Sequence, residues 1–149
     1  MVPLQVAALG SPDISVRVDA VAELARQPDV ARPALIAVLV DPKTPALTCV
    51  WAMIAISQIQ HGEDQAVERA LVHCLKSSEA IVRRSAVDML GSLKAASSVP
   101  DIASLLSDHE PIDPAWFDDD ATPSRAAIRA LELIASPEAK ALLAALRST

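Results

Sequence analysis

His73 and Cys74, with His61 upstream, are the residues of this chain whose types could ligate a metal or furnish a nucleophile. Adjacent residues on a helix point about 100° apart, and no zinc-ligand spacing surrounds this pair. A Cys-His hydrolase also needs an oxyanion arrangement. The three glycines, Gly10, Gly62 and Gly91, supply neither a nucleophile elbow nor a loop that cradles phosphate. The pair therefore reads as a core cysteine beside a surface histidine. Asp118-Asp119-Asp120 with Asp113 could hold a cation, but consecutive aspartates diverge, and the alternating ligands and glycine turn of a calcium loop are missing. These aspartates read as solvated charge. No catalytic residue, metal or cofactor is expected.

Binding is a better use for the same region. An acidic insertion spans residues 108–121 and holds Trp116 and Phe117, two of the chain's three aromatic residues. Insertions of this length inside a compact domain are functional or disordered, and a disordered linker has no need of adjacent rings. Two readings stand. Trp116 and Phe117 anchor a protein partner while Asp118, Asp119 and Asp120 steer a basic surface toward them. Alternatively the rings fold back over the last part of the chain as a lid, which a partner can displace.

Charge and composition narrow the class. Asp108, Glu110, Asp113, Asp118, Asp119 and Asp120 account for the whole net charge of −6, because the other 13 acidic residues balance 13 Lys and Arg. A chain with no basic stripe is a poor ligand for a phosphate backbone, so nucleic acid is not an expected partner. Cys49 and Cys74 lie in apolar segments and read as buried thiols rather than a disulfide framework. No basic and apolar leader opens the chain, and the apolar run Ala46 to Ile56 is about half a membrane span. The expectation is a cytoplasmic protein that does not enter a membrane. With 52% hydrophobic but 2% aromatic residues, Ala, Leu, Val and Ile must build the core, which suits closely approaching helices.

The elements that would carry these residues repeat. Val16-Arg17-Val18-Asp19-Ala20-Val21-Ala22-Glu23-Leu24 returns as Val82-Arg83-Arg84-Ser85-Ala86-Val87-Asp88-Met89-Leu90, each after an acidic turn. Ala46 to Ile54 is a degraded copy, and Ala127, Ile128 and Leu131 mark a fourth. A unit recurring every roughly 30 to 41 residues signals a stacked helical array. Prolines punctuate helix starts, with Asp13, Asp29, Asp101 and Ser136 as caps or first-turn acids. Apolar periodicity gives helices near 3–9, 13–26, 30–40, 45–60, 63–76, 79–94, 98–107, 123–135 and 137–147. The fold class is all-α, a solenoid of about four helix–turn–helix units plus a terminal helix, forming one domain over 1–149.

This pattern resembles the HEAT-repeat family, in particular the short repeats found in phycobilisome lyase-type proteins. The resemblance covers nearly the whole chain and implies a ladder of turn aspartates and second-helix arginines between repeats. Asp13, Arg17, Asp41, Arg83 and Arg125 would fill those places, with a break at Leu47. It also implies a concave face lined by the second helices. In the repeat frame Cys49, Met53, Ile56 and Met89 then form an apolar strip flanked by Arg84 and Arg129, either open to a partner or buried against a neighbouring helix. Trp51 reads as core.

The expected function is a non-catalytic protein-binding module, an adaptor, a scaffold or an inhibitor of the immunity type, of bacterial kind. It would use the concave strip and the acidic Trp-Phe loop. The resemblance implies an alternative, a bilin lyase-like protein holding a tetrapyrrole in the strip with Arg84 and Arg129 on its propionates. Leu142, Leu143 and Leu146 on the last helix leave room for a homodimer through terminal helices.

Overall fold

The computed structural model describes residues 2–59, 64–116 and 122–148. Among them the regular structure is entirely helical. α1 spans Val2–Ala8, α2 Ile14–Ala25, α3 Pro28–Val40, α4 Ala46–Ile59 and α5 Gln65–Cys74. α6 spans Ala80–Ser92, α7 Val99–Ala103, α8 Pro123–Ile134 and α9 Pro137–Arg147, with a 3-10 turn at Ala96–Ser98 leading into α7. The all-α expectation holds.

The punctuation works chemically as the sequence requires. The Asp13 carboxylate caps α2 by accepting from Ser15 N at 2.9 Å. The Thr122 and Ser136 hydroxyls accept from Arg125 N and Ala139 N at the starts of α8 and α9. Pro28, Pro100, Pro123 and Pro137 occupy first-turn positions, where a missing N–H costs little. Asp64 starts α5 by accepting from Ala66 N and Val67 N.

One expected helix is cut short. The segment 98–107 carries only five α-helical residues, Val99–Ala103. Beyond them Ser104, Leu105 and Leu106 each donate to the carbonyl three residues back, and the Ser104 hydroxyl also bonds the Asp101 carbonyl. A serine that competes for backbone acceptors tightens the winding and stops the helix.

Contacts divide the chain into two compact units, Met1–Ala70 and Leu71–Thr149, with the boundary inside α5. In the first unit, α1 packs on α2 and α3, while α4 packs on α2 and α3. First helices thus lie on first helices and second on second, the layering of a solenoid. Its core includes Leu9, Leu24, Leu35 and Ile56. In the second unit, α6 and α8 make the closest pairing, with α7 and α9 against α8. Gly91 permits that approach: a Cβ there would stand 2.7 Å from the Ala130 Cα. Leu90, Ile102 and Leu131 are fully buried in this second core.

Candidate partner-binding pocket

The first residue that organises a site is Arg83, one turn into α6. Its guanidinium donates back to the Ser77 carbonyl at 2.9 Å, closing the turn that precedes its own helix. Arg17, the matching residue of α2, donates in the same way to the Ser11 carbonyl. Each arginine then reaches onward. Arg17 lies over the Trp51 ring, 4.9 Å from its centroid, so Trp51 is a half-buried cation–π partner rather than plain core. Arg83 instead binds Asp108 at 2.7 Å and Glu110 at 2.5 Å, in the acidic loop.

Of the residues expected in the ladder, Arg83 makes an ion pair, but with Asp108, which was not among them. Asp13 instead caps its own helix, and Asp41 accepts from Lys43 N within its own turn. Arg125 is exposed at the start of α8.

Arg83 and Asp108 are both partly buried, with side chains 13% and 17% exposed, so water screens this contact only in part. Burial by itself would raise the Asp108 carboxyl; the hydrogen bond and charge of Arg83, with the Glu110 N–H, outweigh it and hold the pKa below the ordinary aspartate value. The Asp108 hydrogen bond in turn raises the Arg83 pKa. Behind this clamp Ser124 at the start of α8 completes the tether. Its N–H donates to the Asp108 carbonyl at 2.8 Å and its hydroxyl to the Leu106 carbonyl at 2.6 Å. The first half of the insertion is therefore fastened to two helices.

The loop then turns on Asp113. The Asp113 carboxylate accepts from Ala115 N at 2.9 Å and its carbonyl from Trp116 N at 3.0 Å. This turn directs the chain back past the start of α6 and walls a cavity of about 500 Å³. Ser78, Glu79, Ala80 and Ile81 line one side; Glu110, Pro111, Ile112, Asp113 and Trp116 line the other. Trp116 is half-buried, and Glu79, Glu110 and Asp113 are exposed. The arrangement couples an apolar floor and an indole wall to a carboxylate rim.

The other expected site residues fall elsewhere. Phe117, Asp118, Asp119 and Asp120 lie outside the described residues. Cys49, Met53 and Ile56 are buried in the first unit, and Arg84 and Met89 are buried in the second. The reason in the first unit is that α4 carries apolar residues around most of its circumference, so most of the helix is packed against neighbours. The residues α4 exposes are Ile54, Ser57 and Gln58. Arg129 is exposed and shares Asp88 with Arg84, at 3.5 Å and 3.4 Å respectively. Burial first, and the charge of Asp41 second, push the Cys49 thiol up and away from its nucleophilic form. Cys74 is buried and His73 exposed. On α9, Leu143 is buried and Leu142 half-buried, leaving Leu146 on the surface.

Sequence reasoning missed two features: Arg83 as the anchor of the insertion, and the contribution of Ser78–Ile81 to a pocket. The first had a signal, since Asp108 follows Leu105-Leu106 much as Asp41 follows Leu39. The second had none, because residues 79 and 113 meet only through the folded loop. No family model and no curated protein matches the chain. Among the described residues no helix is long and apolar enough to cross a membrane, and no group of three His, Cys, Asp or Glu could hold a metal.

Proposed function

We propose that this chain is a non-catalytic protein-binding module of HEAT-like helical repeats, working in the cytoplasm as an adaptor or inhibitor. Its partner engages the acidic loop. The observation that carries the reading is a half-exposed Trp116 on a segment clamped through Arg83, walling an acid-rimmed cavity. Tryptophan is a leading interface anchor because it removes a large apolar area from water at low entropic cost. A loop already fastened by Arg83 and Ser124 loses little freedom on binding, so more of that contact energy survives as affinity. Rim carboxylates speed association with a basic surface and disfavour acidic ones.

Burial of Cys49, Met53 and Ile56 supports the loop rather than the apolar strip as the working surface in this reading. The same burial leaves the tetrapyrrole alternative without support. The test is capture from native lysate with the wild-type chain and a Trp116→Ala, Phe117→Ala variant of equal thermal stability. The expected result is a protein retained by the first and lost by the second. Retention by both, or by neither, removes the reading.

A further inference from the structure

We propose that the cavity beside Trp116 receives a single arginine side chain of the protein partner, an inference that rests on the binding-module reading above. Among the described residues its lining contains three carboxylates, Glu79, Glu110 and Asp113, and no Lys, Arg or His. The cation nearest in the network, Arg83, already has Asp108 and Glu110 as counter-ions. Among the described residues four carboxylates (Glu79, Asp108, Glu110 and Asp113) face the Arg83 guanidinium, with His109 acting on Asp108 as well, so the cluster is net acidic.

The remaining walls specify what kind of cation fits. Ile81, Pro111 and Ile112 line it with apolar groups, which suit an aliphatic stem, and Trp116 lines it with an indole, the kind of ring on which a flat cation stacks. Guanidinium is planar, weakly hydrated and able to bond carboxylates while stacked on a ring; an ammonium is compact and strongly hydrated. The chain makes the same pairing internally, where Arg17 lies over Trp51 at 4.9 Å. An apolar side chain would strip water from the carboxylates with nothing in return, and an acidic one would be repelled. Charge complementarity and shape thus converge on arginine.

The test is a titration of the full-length protein, followed by amide and indole NMR shifts, with end-capped Gly-Arg-Gly, Gly-Lys-Gly, Gly-Leu-Gly and Gly-Glu-Gly. The arginine peptide should shift the Trp116 indole and the Glu79–Ile81 amides saturably in the millimolar range, more tightly than the lysine peptide. The leucine and glutamate peptides should leave them unmoved. A Glu79→Gln, Asp113→Asn variant should weaken arginine binding about fivefold, since two exposed charges are removed. The Asp113→Asn change keeps an oxygen to accept from Ala115 N, so the turn is preserved. Absence of a saturable shift, equal shifts from the leucine peptide, or an unaffected double variant would each overturn the proposal. Trp116-dependent capture from lysate without arginine binding overturns this occupant and keeps the module. Arginine binding without such capture keeps the pocket's selectivity and overturns the module.

Discussion

Replacing Arg83 by methionine is the perturbation whose consequences can be worked out furthest. Methionine keeps most of the aliphatic stem and removes the guanidinium, and with it the contacts to the Ser77 carbonyl, Asp108 and Glu110. Breaking a fully buried pair costs about 3–5 kcal/mol, and a fully exposed pair contributes about 0–1 kcal/mol. Arg83 and Asp108 are 13% and 17% exposed, nearer the buried limit, while Glu110 is half exposed and adds little. A loss of about 2–3 kcal/mol is therefore expected, much of it the cost of leaving Asp108 desolvated and unpaired. Urea unfolding of the wild type, Arg83→Met, Asp108→Asn and the double variant gives the coupling between the two groups, expected at about 1–2 kcal/mol. The pH dependence has a fixed sign. Because the folded Asp108 pKa is lowered, its contribution is complete above the unfolded value of about 3.9 and is lost as pH falls through the folded value. The stability gap between wild type and Arg83→Met should therefore be flat from neutral pH to about 5 and shrink below about 4. A loss under about 0.5 kcal/mol with additive single variants would refute the claim that Arg83 fastens the loop.

Two further outcomes test the framework that carries the site. Gly91→Ala would put a methyl 2.7 Å from the Ala130 Cα, so α6 and α8 must separate; thermal unfolding should register a loss of about 1–3 kcal/mol. Ala135 ends α8 in the left-handed region at φ 53°, where a Cβ is unfavourable, so Ala135→Gly should raise stability by about 1 kcal/mol in the same assay.

The repeats and their helices were legible because the signal is local. Arg17 and Arg83 sit at the same place after a turn, and each bonds the carbonyl six residues back. Pro123 and Pro137, with Thr122 and Ser136 before them, mark helix starts that the structure repeats closely. α7 was over-extended because leucine periodicity continues through Leu105 and Leu106 while Ser104 has already diverted the backbone. The residues of the apolar strip were placed correctly on helices, but whether they are open or buried could not be read from the pattern, and the structure has them buried. Residue pattern alone assigns a face to α4 only if the helix has a polar side, and Ala46–Ile59 has little of one. The pocket was illegible for a different reason. Trp116 and the acidic run could be picked out as a binding candidate, but Glu79 and Ile81 join them through the Arg83–Asp108 contact, which links positions 25 apart in sequence.

Site-directed photocrosslinking tests the central claim, that the Arg83-fastened loop is the working surface, most directly. A benzophenone side chain would replace Ile112 in the pocket wall in one variant and the exposed Ile54 of α4 in another. The account predicts a covalent adduct to one protein partner from position 112 and none from position 54. Adduct from position 54 alone, or equal adduct from both, would contradict it.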